Sequence, residues 1–205
     1  MYFVGSTKAS NILGMKDFHF LISIFILLII SSCAPDNSEQ TITIEKRYSL
    51  TMPTFLSKGS DLHDEASLQY QNIFKEFYVV VIDEPKAAFD QSIGEYELAG
   101  GYQGNLETYA KIVFNNLVEG LLNSYQTDII DTNVNGTIAK LTTIEGRMED
   151  IPIYYAFGAY EGKNTYYQII AWTLAESKEK YKDNMQQILN SFKELEHHSK
   201  KAKGT

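Results

Sequence analysis

Past residue 46 the apolar positions fall into two periods, two residues and three to four residues, and their order along the chain predicts a fold. Tyr48, Leu50 and Met52 alternate with Ser49 and Thr51 and are closed by Pro53, which marks a short strand. Residues 55–65, rich in Ser, Gly and Asp, read as a loop. Two β-rich runs follow at 66–73 and 76–82, joined around Phe74-Lys75 as a hairpin. Val79-Val80-Val81-Ile82 is apolar on both faces, so that strand is expected at the centre of a sheet, ended by Asp83-Glu84-Pro85. Residues 86–93 predict a short helix, followed by the Gly-containing stretch 94–104. Asn105 then stands as an N-cap before Leu106, Tyr109, Ala110, Val113, Phe114, Leu117, Leu121 and Tyr125, a stripe on one helical face.

Beyond that helix, 127–135 and 137–147 read as strands joined by Asn135-Gly136, a dipeptide suited to a type I′ turn. Ile151, Ile153, Tyr155, Phe157 and Ala159 alternate in the next strand, and Glu161-Gly162-Lys163-Asn164 turns the chain into a last central strand at 166–174. A helix is predicted from the N-cap Ser177 to Leu195, burying Tyr181, Met185, Ile188, Leu189, Phe192 and Leu195. Residues 197–205 form a polar, Lys-rich tail. The class is α+β: an antiparallel sheet of six to seven strands packed with a long central helix and a C-terminal helix. The domain is expected over 46–196.

The first 45 residues have a different character. Lys16 and Asp17 precede an apolar core from Phe18 to Ile30 interrupted by His19 and Ser23, and small residues Ser31-Ser32 lead to Cys33. The core is shorter than the roughly 20 apolar residues that span a bilayer. A positive end, a short apolar core and small residues at the cut make a secretory leader, with Met15 as its expected start within 1–32. Ile30-Ser31-Ser32-Cys33 resembles the bacterial lipoprotein consensus, which implies diacylglycerol on the Cys33 thiol and cleavage before it. A single-pass anchor with an incidental cysteine is the alternative. Residues 33–45, polar and with little to bury, are expected to be a lipidated tether. Ala34, not Asp, follows the cysteine and is compatible with outer-membrane delivery by the enterobacterial sorting rule.

Composition narrows the possibilities further. Removing 1–32 leaves 173 of 205 residues, one domain's worth, and changes the net charge from −8 to −9. An acidic surface repels phosphate backbones, so nucleic acid is not an expected partner. Cys33 is the sole cysteine; once lipidated it leaves no thiol for disulfide or redox chemistry.

The element order, with the closing strand 166–174 and the amphipathic C-terminal helix, resembles the fold shared by the PsbP extrinsic proteins of photosystem II and the Ran-binding Mog proteins, over residues 48–195. The stretches Leu62-His63-Asp64-Glu65-Ala66-Ser67-Leu68-Gln69-Tyr70 and Tyr166-Tyr167-Gln168-Ile169-Ile170-Ala171-Trp172-Thr173 are similar to segments of small, uncharacterised lipoproteins of the Bacteroidota type. The first resemblance implies an α/β/α sandwich and an assembly or accessory role; neither implies a catalytic residue or a cofactor.

Chemistry-bearing candidates are sparse. Asp131-Thr132-Asn133-Val134-Asn135-Gly136 matches the front of a calcium loop, yet Thr142 stands where a bidentate Glu belongs. The hairpin explains the same residues. His63 is the one histidine of the predicted domain, in a polar loop, while His197 and His198 lie in the tail. Carboxylate pairs occur at Asp83-Glu84, Glu95/Glu97 and Glu149-Asp150, of which the first and last flank strands and prolines and are accounted for by turns and solubility. Gly100 to Gly104 precedes a helix but lacks the Lys-Ser/Thr of a phosphate loop. Tyr154, Tyr160 and Tyr167 alternate along the last two strands; on an open face they would form an aromatic platform for a partner, and under helices they are core. The sequence therefore leads to a lipid-anchored envelope protein, non-enzymatic, without a cofactor, attached to the membrane through Cys33 and serving an envelope protein partner. A small-ligand or calcium-binding lipoprotein, or a hydrolase built from scattered carboxylates, remains the alternative.

Overall fold

The centre of the computed structural model is a pair of antiparallel strands, β9 (Ile151–Glu161), buried on both faces over most of its length, and β10 (Thr165–Leu174), buried on one face and mostly half-buried on the other. The structure describes residues 38–97 and 104–195, the side chains of 95–97 excepted; these residues belong to one compact unit beginning at Ser38. The expected leader, the lipidation site Cys33 and the tail lie outside the described residues.

Beside β10 lies β5 (Phe77–Pro85), where the continuous apolar run predicted a central strand. The strand runs three residues further than expected because Asp83, Glu84 and Pro85 still pair with Tyr167, Tyr166 and Thr165. Then come β4 (Ala66–Asn72), with one register shift between Ala66 and Leu68, and the two-residue β3 (Ser57–Lys58). On the other side of β9 lies β8 (Thr137–Met148). Its outer edge is shared by β6 (Leu122–Gln126) and β7 (Ile130–Val134). The sheet has eight strands among the described residues, and all its pairs are antiparallel.

Two layers cover it. On one face sit α1 (Lys86–Glu97) and α2 (Leu106–Glu119), which bury Phe89, Tyr109, Val113 and Phe114 against Ile144, Tyr155, Phe157 and Tyr166. The Asn105 side chain caps α2 by accepting the Thr108 amide at 2.9 Å. On the other face α3 (Lys178–Ser191) lays Tyr181, Met185, Ile188 and Leu189 across Phe77, Ala156, Tyr160 and Ile169. A small sheet completes that layer: β1 (Glu39–Ile44) and β11 (Lys193–Glu194) flank β2 (Tyr48–Pro53), whose Tyr48, Leu50 and Met52 join the same core.

Three expectations change. Residues 39–44 are not tether: they form β1, paired with β2 in continuous register from Glu39–Pro53 to Ile44–Tyr48, and Ile42 and Ile44 pack on the core. The central helix stops at Glu119 rather than reaching Tyr125; the Gly120 amide closes the last turn on Asn116 and Val118, and β6 begins at Leu122. The last helix ends at Ser191, where Phe192 turns extended and starts toward β11. The Asn135-Gly136 turn has the left-handed backbone that a type I′ hairpin requires, with φ of 50° and 92°.

Candidate functional site

The tyrosine platform is not a surface. Tyr154, Tyr160 and Tyr167 are all buried, because α3 and β2 occupy the face they point to. The Tyr160 hydroxyl donates to the Leu189 carbonyl at 2.8 Å, and its ring lies 4.7 Å from that of Phe192. Tyr167 packs edge-on against Tyr48 at 5.5 Å and donates to Glu194 Oε1 at 3.2 Å. Tyr154 sits under the Lys178 ammonium, 5.1 Å from its ring centre. Burial pushes all three phenols above the usual tyrosine range, with the Glu194 carboxylate adding to the rise at Tyr167.

The acidic candidates disperse. Asp131 accepts from Lys140 Nζ at 2.5 Å, Asn133 accepts the Gly136 amide at 2.9 Å, and Asn135 donates to the carbonyls of Asn190 and Phe192. The oxygen-rich segment therefore closes a hairpin and docks it on the end of α3. Asp83 and Glu84 are successive residues of a strand and face opposite sides of the sheet. Asp83 pairs with Arg47, and Glu84, held above the usual carboxylate range by burial and by Glu65, lies on the α1/α2 side near Tyr109. Glu149 and Asp150 are exposed at a turn where Asp150 takes Arg147. His63 is exposed, and its Nδ1 accepts the Glu65 amide at 3.2 Å within the loop. Among the described residues no three His, Cys, Asp or Glu side chains converge as a metal site would need. The side chains of Glu95 and Glu97, on the last turn of α1, lie outside what the structure describes, as do Gly100, Gly101, His197 and His198.

A cleft of about 520 Å³ opens beside β11, lined by Arg47, Lys163, Asn164, Thr165, Tyr167, Glu194 and Leu195. Arg47 and Glu194 are largely engaged already, although Arg47 Nε is buried without a hydrogen-bond partner. Glu194 accepts the Lys163 amide at 2.9 and 3.1 Å and the Tyr167 hydroxyl, Arg47 binds Asp83 and Glu45, and the Leu195 amide donates to the Arg47 carbonyl at 2.8 Å. That arrangement pins the chain after α3 to the sheet.

The outer edge of the main sheet is different. Along β6, β7 and the residues between them, Tyr125, Ile129 and Ile130 are exposed, Tyr125 and Ile130 at 66% and 62%. These strands pair with β8 on one side only. Edge strands usually carry Lys or Pro to prevent further pairing. The run Leu122-Asn123-Ser124-Tyr125-Gln126-Thr127-Asp128-Ile129-Ile130-Asp131-Thr132-Asn133-Val134 has neither. It is irregular, with a register shift between Leu122 and Tyr125 and a left-handed Asn123, yet it offers exposed apolar side chains along a strand edge paired on one side only. Sequence reasoning missed this edge because it assigned Leu121 and Tyr125 to the preceding helix.

No protein family matches the sequence, and no curated protein does either. Solved structures do match in shape. The cyanobacterial PsbP (CyanoP) of Synechocystis sp. PCC 6803 superposes with a TM-score of 0.53, covering 82% of this chain and 99% of that one at 10% identity. The fold is PsbP-like. LpqN of Mycobacterium tuberculosis, described as involved in cell envelope biogenesis, gives a TM-score of 0.48 over 78% of this chain and 91% of its own at 11% identity. A Bacteroides thetaiotaomicron protein gives 0.49 at 6% identity, over 79% of this chain, which spans half of that protein's length.

Proposed function

We propose that the protein is a lipid-anchored component of a bacterial envelope, of the Bacteroidota lipoprotein type, that acts without catalysis as an accessory subunit. Its partner adds along the β6–β7 edge. The open apolar edge carries this reading: Tyr125, Ile129 and Ile130 stand beside unpaired backbone, which suits an extended partner segment joining as a further strand. The lipobox Ile30-Ser31-Ser32-Cys33 supports attachment to a membrane, and the PsbP-like fold is compatible with an accessory role. The carboxylates seen are dispersed or already paired, which favours binding over hydrolysis.

A photo-crosslinking amino acid at position 125 of the full-length chain, expressed in a native envelope, is expected to give one discrete protein adduct. Ile130→Lys should remove that adduct, and the same crosslinker at the solvent-facing Lys182 should give none. Equal labelling at both positions, or an adduct indifferent to Ile130→Lys, contradicts the edge as the binding surface. Cys33→Ala is expected to release the protein from the membrane fraction.

A further inference from the structure

The turn between β4 and β5 presents Ile73 and Phe74 to solvent, at 64% and 98% exposure. A turn ordinarily carries polar residues there. This one is held firmly: the Lys75 amide donates to the Asn72 carbonyl and to Asn72 Oδ1, the Glu76 amide donates to the Ile73 carbonyl, and Glu76 adopts φ of 48°. Asn72 Nδ2 also donates to the Phe55 carbonyl at 2.8 Å, and the neighbouring Thr54 amide donates to the Ser38 carbonyl at 2.9 Å. The apolar tip thus stands at the same end of the molecule as Ser38, where the described domain begins.

That end is fixed by covalent reach. Five Cα–Cα steps separate Cys33 from Ser38, at most ~18 Å of chain. A lipid on Cys33 keeps the Ser38 end close to the bilayer surface, a constraint that a thirteen-residue tether over 33–45 would not have imposed. The sheet register brings a second apolar tip to this end. Phe77 pairs with Thr173, Thr173 with Tyr154 and Tyr154 with Glu145, so the β8–β9 turn, with exposed Met148 and Ile151, projects in the same direction as Phe74. Lys75 and Lys180, against the single carboxylate of Glu76, line the shallow depression beside Phe74, whereas the second tip carries the exposed carboxylates Glu149 and Asp150.

We infer that this end of the sheet is a membrane-contact surface, in which Phe74 and Ile73 enter the lipid interface beside the anchor while Lys75 and Lys180 meet anionic headgroups. The inference rests on lipidation of Cys33 and deepens it: the lipid attaches the domain, and the tips orient it, leaving the β6–β7 edge lateral and accessible.

Lipidation consumes the only native thiol, so a Phe74→Cys chain offers a single site for an environment-sensitive fluorophore. The lipidated full-length protein is placed in phosphatidylethanolamine–phosphatidylglycerol vesicles containing nitroxide-labelled lipid. The comparison is Ile138→Cys, exposed at the opposite end of the sheet, where Ile138 pairs with Glu161. A blue-shifted probe at 74, quenched severalfold more than at 138, is the expected result. Equal, solvent-like emission at both positions overturns the inference. Shielding at 74 in native envelopes but not in vesicles also overturns it, by assigning the tip to a protein partner. A parent chain that fails to float with vesicles and takes the dye at Cys33 overturns the anchor itself, and the inference with it.

Discussion

Gly158 shows how tightly the sheet is filled. A β-carbon there would come 2.6 Å from Tyr160 Cε2, 2.7 Å from its hydroxyl and 2.9 Å from Leu141 Cδ2. Both neighbours are buried, so neither can swing into solvent. Gly158→Ala is therefore expected to lower unfolding stability by about 1–3 kcal/mol, the usual range for overpacking, as measured by urea denaturation. Tyr160→Phe should cost about 1 kcal/mol through the lost bond to Leu189. Because the added methyl presses on the same hydroxyl, the two losses should sum to more than the double variant's, and strict additivity would show that the clash is not where the geometry puts it. Signals at this scale were legible in the sequence wherever they were local. Asn105 as a cap and Asn135-Gly136 as a turn follow from side-chain and backbone chemistry within a few residues. The fate of Tyr154, Tyr160 and Tyr167 did not, because strand alternation says which residues share a face and nothing about what lies on it.

At the scale of elements, periodicity placed the long strands and the three α-helices of the described residues, and failed at ends. Leu121 and Tyr125 continue the spacing of α2 by coincidence; Leu121 is buried after the cap, and Tyr125 is exposed on the next strand. Phe192 likewise keeps the spacing of α3 and is fully buried, but on an extended backbone. β1 resembles a tether in sequence because Glu39-Gln40-Thr41-Ile42-Thr43-Ile44 offers just two apolar side chains, each half-buried. Its hold comes from β2, joined to it by a three-residue turn and itself packed in the core, and from the Gln40 side-chain donation to the Leu56 carbonyl at 2.6 Å. Replacing Ile42 and Ile44 together by alanine separates the two readings. In a free tether the change would be silent, since neither side chain would have a folded contact to lose. In β1 it should lower stability by about 2–4 kcal/mol, allowing for partial burial, with a lower denaturant midpoint at unchanged slope.

For the whole molecule, the notable fact is that a domain without a thiol past Cys33 holds two separate cores on one sheet, and that tyrosines occupy both. Tyr48, Tyr160 and Tyr167 belong to the α3 side, Tyr109 and Tyr155 to the α1/α2 side. Burial raises the pKa of all five, and Tyr155 is pushed to about 12 by burial alone. The direction of the linkage follows. A phenol whose folded pKa lies above its unfolded value of 10 keeps its proton longer in the folded state, so stability is unaffected below pH ~10 and falls as pH rises through the folded value. Each such phenol removes roughly 1.4 kcal/mol per pH unit in that window. Five acting together would exhaust an ordinary stability of about 5–15 kcal/mol within one to two units above pH 10. Both cores should therefore fail at once. In a titration of phenolate absorbance followed alongside circular dichroism, the buried tyrosines are expected to ionise in one steep step coincident with loss of secondary structure. A gradual titration centred near pH 10 with the fold intact would show that water reaches these rings, and that neither core is sealed as the packing implies.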